Sequence, residues 1–166
     1  MKKKILSIFL AFCLIFSLLP MGAMADEAKS GTCGENLTWT LDGDGTLTIS
    51  GTGKMYDYDY SDYEAAAPWI RDKYKIKSVV IEDGVTSIGS EAFYTTDGYD
   101  ITKVTIPSSV ESIGGSAFAR CTALTEISIA NGVKSIGGSA FSSCRKLVSI
   151  TLPDSVEKLG NYAFYG

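Results

Sequence analysis

At 166 residues the chain has room for one domain and a processed segment. It contains no histidine, so no Ser–His or Cys–His pair is available to activate a nucleophile. With 19 acidic against 15 basic residues and no basic cluster beyond Lys2–Lys4 at the extreme N-terminus, neither nucleic acid nor an anionic membrane surface is an expected partner.

The first 25 residues read as a secretory signal peptide. Lys2, Lys3 and Lys4 form the charged start, Ile5–Leu19 is a 15-residue apolar run, and Pro20 breaks it. Ala23-Met24-Ala25 supplies an A-x-A cleavage site. The run falls short of the ~20 residues a spanning helix needs, so no membrane insertion is expected after cleavage near Ala25. Removal of the three lysines leaves 12 basic against 19 acidic residues, a net charge near −7.

Residues 26–75 have a different texture. Leu37–Leu41 and Thr46–Ser50 alternate apolar and polar residues around Asp42-Gly43-Asp44-Gly45, which predicts a β-hairpin with Leu37, Trp39, Leu41, Leu47 and Ile49 on one face. Asp42-Gly43-Asp44-Gly45 lacks the remaining ligands of a calcium loop, so it reads as a turn. Gly51-Thr52-Gly53-Lys54 lacks the earlier Gly and the Ser or Thr of a phosphate loop, so it reads as a strand exit. Met55–Tyr63 then interleaves Tyr56, Tyr58, Tyr60 and Tyr63 with aspartates. Two readings of this flexible stretch stand: a contact surface, since tyrosines give area at low entropy cost, or a connector whose rings fold back on the hairpin.

From Ile76 onward the chain repeats. Residues 101–123 and 124–146 share 11 of 23 positions, including the run SIGGSAF. A longer unit, 76–100, precedes them, and an incomplete one, 147–166, follows. A period of this length means a solenoid. In each unit an alternating stretch such as Val104-Thr105-Ile106 predicts a strand buried on one face. Stacked one repeat apart, such strands make a parallel sheet with rungs about 4.7–4.9 Å apart. A turn follows, then a second apolar pair (Val85/Ile88, Val110/Ile113, Val133/Ile136, Val156/Leu159), then Gly89, Gly114, Gly137 or Gly160 at a corner a Cβ would obstruct. Phe93, Phe118, Phe141 and Phe164 close the units and predict an internal column of rings. Beneath a first rung a cap is needed, and the hairpin with Pro68-Trp69-Ile70 is placed to serve as one.

The pattern L-x-x-I-x-L-P-x-S-V-x-x-I-G-x-x-A-F-x-x-C resembles the BspA-like, or Treponema-type, leucine-rich repeat. Thr96 replaces the Cys in the first unit, which also carries the insertion Thr95–Asp100. The resemblance implies a leucine-rich-repeat solenoid, mainly β, with parallel stacked short strands and short helical or turn segments on the other side. It also implies a secreted or cell-surface bacterial protein whose role is adhesion or binding to a host or neighbouring cell. The repeat itself carries no catalytic residues and no cofactor, so the chain is not expected to be an enzyme. The stretch from Gly31 to Met55 also resembles the leader that often precedes such repeats.

Three cysteines remain after signal removal: Cys33, Cys121 and Cys144. Cys121 and Cys144 fall on adjacent rungs, within disulfide reach, yet in the buried register, where a free thiol packs as a small apolar group. The packed thiol is the favoured reading. Without histidine, three scattered cysteines match no zinc spacing, so no metal is expected.

Two surfaces are candidates for ligand binding. One is the tyrosine set, which the insertion Tyr94–Tyr99 could enlarge. The other is the outward strand face, with Lys103, Thr105, Glu126, Ser128, Ser149 and Thr151, since solenoids bind partners along extended faces. The expected ligand is a protein or glycan. The alternative is a structural spacer, or the front of a larger surface protein, with no ligand of its own. The uncapped final rung is expected to continue into a longer protein or, alternatively, to pair end to end with a second copy.

Overall fold

The structure, a computed structural model, describes residues 28–166. The signal peptide lies outside the described residues. Three sides wind around one core. The first side is a sheet of six strands: β1 (Lys29–Thr32), β2 (Leu37–Leu41), β3 (Thr46–Gly51), β5 (Ser78–Ile81), β7 (Lys103–Ile106) and β9 (Glu126–Ile129). The second is a parallel sheet of β4 (Gly53–Lys54), β6 (Val85–Ile88), β8 (Ser112–Ile113), β10 (Ser135–Ile136) and β11 (Lys158–Leu159).

In the first sheet β1, β2 and β3 pair antiparallel, and β3, β5, β7 and β9 pair parallel. The register is one repeat per rung: Lys103 lies opposite Glu126 and Thr105 opposite Ser128. Alternation explains the burial, since Leu37, Trp39 and Leu41 face in while Thr38 and Thr40 face out. The hairpin turn is closed by Asp42, whose Oδ1 accepts the Asp44 and Thr46 N–H groups at 3.0 and 2.7 Å.

The second sheet adds to the sequence reading, whose helical or turn segments correspond to the turns of the third side. Val85/Ile88, Val110/Ile113 and Val133/Ile136 are buried, and near-identical backbones stacked in register have each N–H opposite a carbonyl on the next rung, so parallel pairing satisfies both. Gly53–Lys54 is correspondingly the first strand of this sheet, not a strand exit. Among the described residues the one helical element is a 3-10 turn, Ile70–Asp72.

The third side is a ladder of turns. Ser116, Phe118 and Arg120 donate their N–H groups to Gly138, Ala140 and Ser142 at 2.9, 2.8 and 2.8 Å. Ser139, Phe141 and Ser143 do the same toward Asn161, Ala163 and Tyr165. Ser116 and Arg120 take left-handed φ of 52° and 61°, and Ser139 and Ser143 repeat them at 56° and 59°. Every second N–H thus points to the next rung, while the N–H groups between them, such as those of Ala119 and Ser142, bond back to Ser116 and Ser139 within their own rung. The first rung's carbonyls need donors from outside the repeat. Tyr58 N–H reaches Ser90 O at 3.0 Å, and the Trp69 indole Nε1–H reaches Ala92 O at 2.9 Å.

The rings stack inside this frame. Phe93–Phe118, Phe118–Phe141 and Phe141–Phe164 lie 4.9, 5.3 and 5.4 Å apart and nearly parallel. Trp69 extends the column beyond the repeats, 5.4 Å from Phe93 with planes 20° apart. At Gly114 and Gly137 a Cβ would collide with the backbone of the preceding rung, which is the corner obstruction read from the sequence. The final unit keeps its register in the second sheet and in the turns, but residues 147–153 form no strand against β9, and Val148 is 97% exposed.

Candidate functional site

The tyrosine segment is pinned rather than loose. Met55 is buried and its N–H reaches Ser87 O at 3.2 Å, while Tyr56 N–H reaches Cys33 O at 2.9 Å. The aspartates serve the backbone. Asp57 Oδ1 accepts Ser90 N–H at 2.7 Å, Asp59 Oδ1 accepts Ser61 N–H and Oγ–H at 2.8 and 2.7 Å, and Asp62 Oδ1 accepts Glu64 N–H at 3.0 Å. Asp59 and Asp62 cap local turns, the ordinary reason Asp is found in such places, while Asp57 ties the segment to the first repeat. The bonds from Ser61 hold the Asp59 carboxyl below its usual range.

The four tyrosines separate into three environments. Tyr58 packs its edge on Trp69 at 5.7 Å and its hydroxyl donates to Cys33 O at 3.4 Å. Tyr60 meets Tyr94 edge-on at 5.4 Å, and its hydroxyl lies 3.1 Å from Thr96 Oγ1. Tyr56 and Tyr63 are 52% and 67% exposed, Tyr63 beneath the Arg71 guanidinium at 4.8 Å. The segment and the first-repeat insertion therefore meet. Sequence reading missed what fastens that insertion: Asp97 Oδ2 accepts Lys73 Nζ at 2.8 Å and the Tyr74 hydroxyl at 2.6 Å. These two donors, Lys73 first, keep the Asp97 carboxyl well below the usual carboxylate range. The insertion after Phe93 was the visible signal. Its partners lie outside the repeat and have no pattern to betray them.

The second candidate surface is separate, on the outer face of the six-stranded sheet. Lys103 Nζ lies 2.8 Å from Glu126 Oε1, both well exposed, with Thr105 and Ser128 in register beside them. Lys134 and Glu111 pair in the same cross-rung manner at 3.2 Å on the other sheet. Ser149 and Thr151 lie in the segment that forms no strand. Tyr58 and Tyr60 are thus brought to the cap and insertion, and Lys103, Thr105, Glu126 and Ser128 to the sheet.

The family described as BspA type leucine rich repeat region matches residues 71–166 in six copies. This chain belongs to that family. A leucine-rich repeat protein from Eubacterium ventriosum is 34% identical, with a TM-score of 0.72 over 83% of this chain and 35% of its own. A T. pallidum leucine rich repeat protein, 22% identical with a TM-score of 0.58 over 81% of this chain and 66% of its own, shares the fold. The chain thus spans about a third of the length of the E. ventriosum protein. Among curated proteins no relative matches. Among the described residues no helix is long and apolar enough to cross a membrane.

In this BspA-type chain the repeat cysteine is a packing residue, as its register implies. Cys121 Sγ–H reaches Phe93 O at 3.5 Å and Cys144 Sγ–H reaches Phe118 O at 3.2 Å, each one rung back. Burial pushes the Cys33 thiol up to about 12 and Cys144 to about 11, and raises Cys121 well above its ordinary value. Each thiol holds its proton more tightly folded than unfolded. The stability it lends is complete below the unfolded value of 9.0 and is lost as pH climbs through about 11 to 12. Urea midpoints are therefore expected to hold steady to about pH 9 and fall above it. Maleimide at pH 8 is expected to label none of the three thiols until urea is added. A midpoint unchanged at pH 11, or rapid native labelling, overturns this account.

Proposed function

We propose that the chain is an exported, non-catalytic recognition module that binds a protein or glycan on a host or neighbouring cell. The observation that carries this reading is the contact of Tyr60 with Tyr94 and Thr96. It joins a cap segment to an insertion found in one repeat only, and builds an aromatic, polar ledge that the regular rungs lack. Tyr56 and Tyr63 stand exposed on the same segment, and exposed tyrosines on a rigid support are effective contact residues. The outer sheet face, with Lys103, Thr105, Glu126, Ser128, Ser149 and Thr151, is the second surface in this proposal. Export rests on the charged start, apolar run and cleavage site of residues 1–25, and places the module in the medium or at the cell surface.

A specific observation favours the spacer reading for the sheet face. Its Lys103 and Glu126 satisfy each other, and the face carries no aromatic anchor of the kind that dominates interfaces.

A panel of glycans and host-matrix proteins tests the two readings. Tyr58 is unsuitable as a probe because it supports Trp69. The double variant Tyr56→Ala/Tyr63→Ala is expected to weaken binding about tenfold with unfolding unchanged. No ligand for the unmodified protein, or binding indifferent to both the tyrosine and the strand-face substitutions, makes the chain a spacer.

A further inference from the structure

We propose that the half-open cavity beside the insertion is a site for the carboxylate of an acidic sugar unit, a uronate or sialate within a glycan chain. This rests on the recognition reading above and narrows its ligand. The cavity, about 230 Å³, is lined by Thr96, Asp97, Gly98, Arg120, Thr122, Ser143 and Arg145. It lies where the end-turns of two regular repeats meet the insertion of the first. The insertion supplies one wall, so equivalent turns elsewhere do not reproduce it.

The two arginines stand out in an acidic chain. Arg120 is held at both ends: its N–H bonds Ser142 O at 2.8 Å, and its Nη1 donates to Thr96 O at 2.8 Å. The left-handed backbone at Arg120 recurs at Ser143, so it belongs to the turn; the guanidinium is what distinguishes the position. One of its five N–H donors is used by Thr96, and Arg145 makes no hydrogen bond or ion pair with the described residues. Asp97 does not cancel them. Its Oδ2 is taken by Lys73 and Tyr74 and its Oδ1 by Thr96 Oγ1. What remains is a positively charged recess with guanidinium donors suited to a carboxylate.

The other lining groups point to sugar rather than peptide. Thr122 and Ser143 bring two hydroxyls beside Thr96, whose own hydroxyl is engaged by Asp97 and Tyr60, and no apolar side chain lines the cavity. Its volume falls below the roughly 300–1,000 Å³ of sites that enclose a whole ligand, which suits a single unit of a polymer. Thr96 also touches the Tyr60 hydroxyl at 3.1 Å, so the cavity adjoins the Tyr60–Tyr94 pair.

The test uses the chain without its signal segment, a tetra-uronate and a sialyl-trisaccharide. Each is compared with its carboxyl-reduced form and with a glutamate-rich peptide. At least one acidic sugar is expected to bind, its reduced form about tenfold more weakly, and Arg145→Gln is expected to lose about tenfold with thermal unfolding unchanged. Arg120→Gln should lose as much or more. Equal binding of the reduced sugar, no response to Arg145→Gln, or displacement of the sugar by the peptide overturns the proposal. A chain that binds another partner through Tyr56 and Tyr63, indifferent to Arg145, keeps the recognition reading and loses this one. A chain that binds nothing in either panel loses both.

Discussion

Trp69→Ala is expected to lower the unfolding free energy by about 3–5 kcal/mol through lost ring packing. A further ~1–3 kcal/mol follows because the Ala92 carbonyl is left buried without a donor. Trp69 is fully buried, stacks on Phe93, and makes edge contacts with Trp39 at 5.9 Å and Tyr58 at 5.7 Å. Its indole N–H stands where a backbone N–H of a preceding rung would stand. Trp69→Phe separates the two roles, since a benzene ring keeps the stack and deletes the donor. That variant is expected to cost about 1–3 kcal/mol, read as a shift in the urea midpoint at constant slope. A neutral Trp69→Phe would mean that the carbonyl finds another donor and that the cap acts through packing alone.

The same residue shows where sequence reading reached and where it stopped. The repeats announce their own rungs: SIGGSAF recurs, so the corner glycines, the phenylalanine column and the buried cysteines follow from spacing. The rung before them has no such text. Residues 46–69 supply β3 to the first sheet, β4 to the second and Trp69 to the ring column, yet share no motif with the repeats, because tertiary pairing rather than residue identity places them. The second sheet was hidden for a related reason. Its strands are two to four residues long, too short for alternation to register, and they are held by the rungs on either side. At the candidate site, the tyrosines and the insertion were legible as odd text. Lys73, Tyr74, Arg120 and Arg145 were not, because each becomes informative only beside Asp97 or Thr96, which the winding of the chain brings to it.

Phe118→Ala is expected to cost about 3–5 kcal/mol, and the comparison with its neighbours tests what kind of core this is. Phe118 has a ring on either side, at 4.9 and 5.3 Å, and is fully buried. Phe164 has a described ring on one side only and is half-buried. If the column is a chain of nearest-neighbour contacts, Phe164→Ala should cost clearly less than Phe118→Ala. Pairs should behave likewise. Phe93→Ala with Phe118→Ala removes one shared contact that each single change already removed, so the two costs should fall short of adding by about 0.5–1.5 kcal/mol. Phe93→Ala with Phe141→Ala, which share no contact, should add within about 0.5 kcal/mol. Equal coupling in both pairs would mean that truncation collapses the solenoid as a whole, and that the rungs do not carry their stability locally.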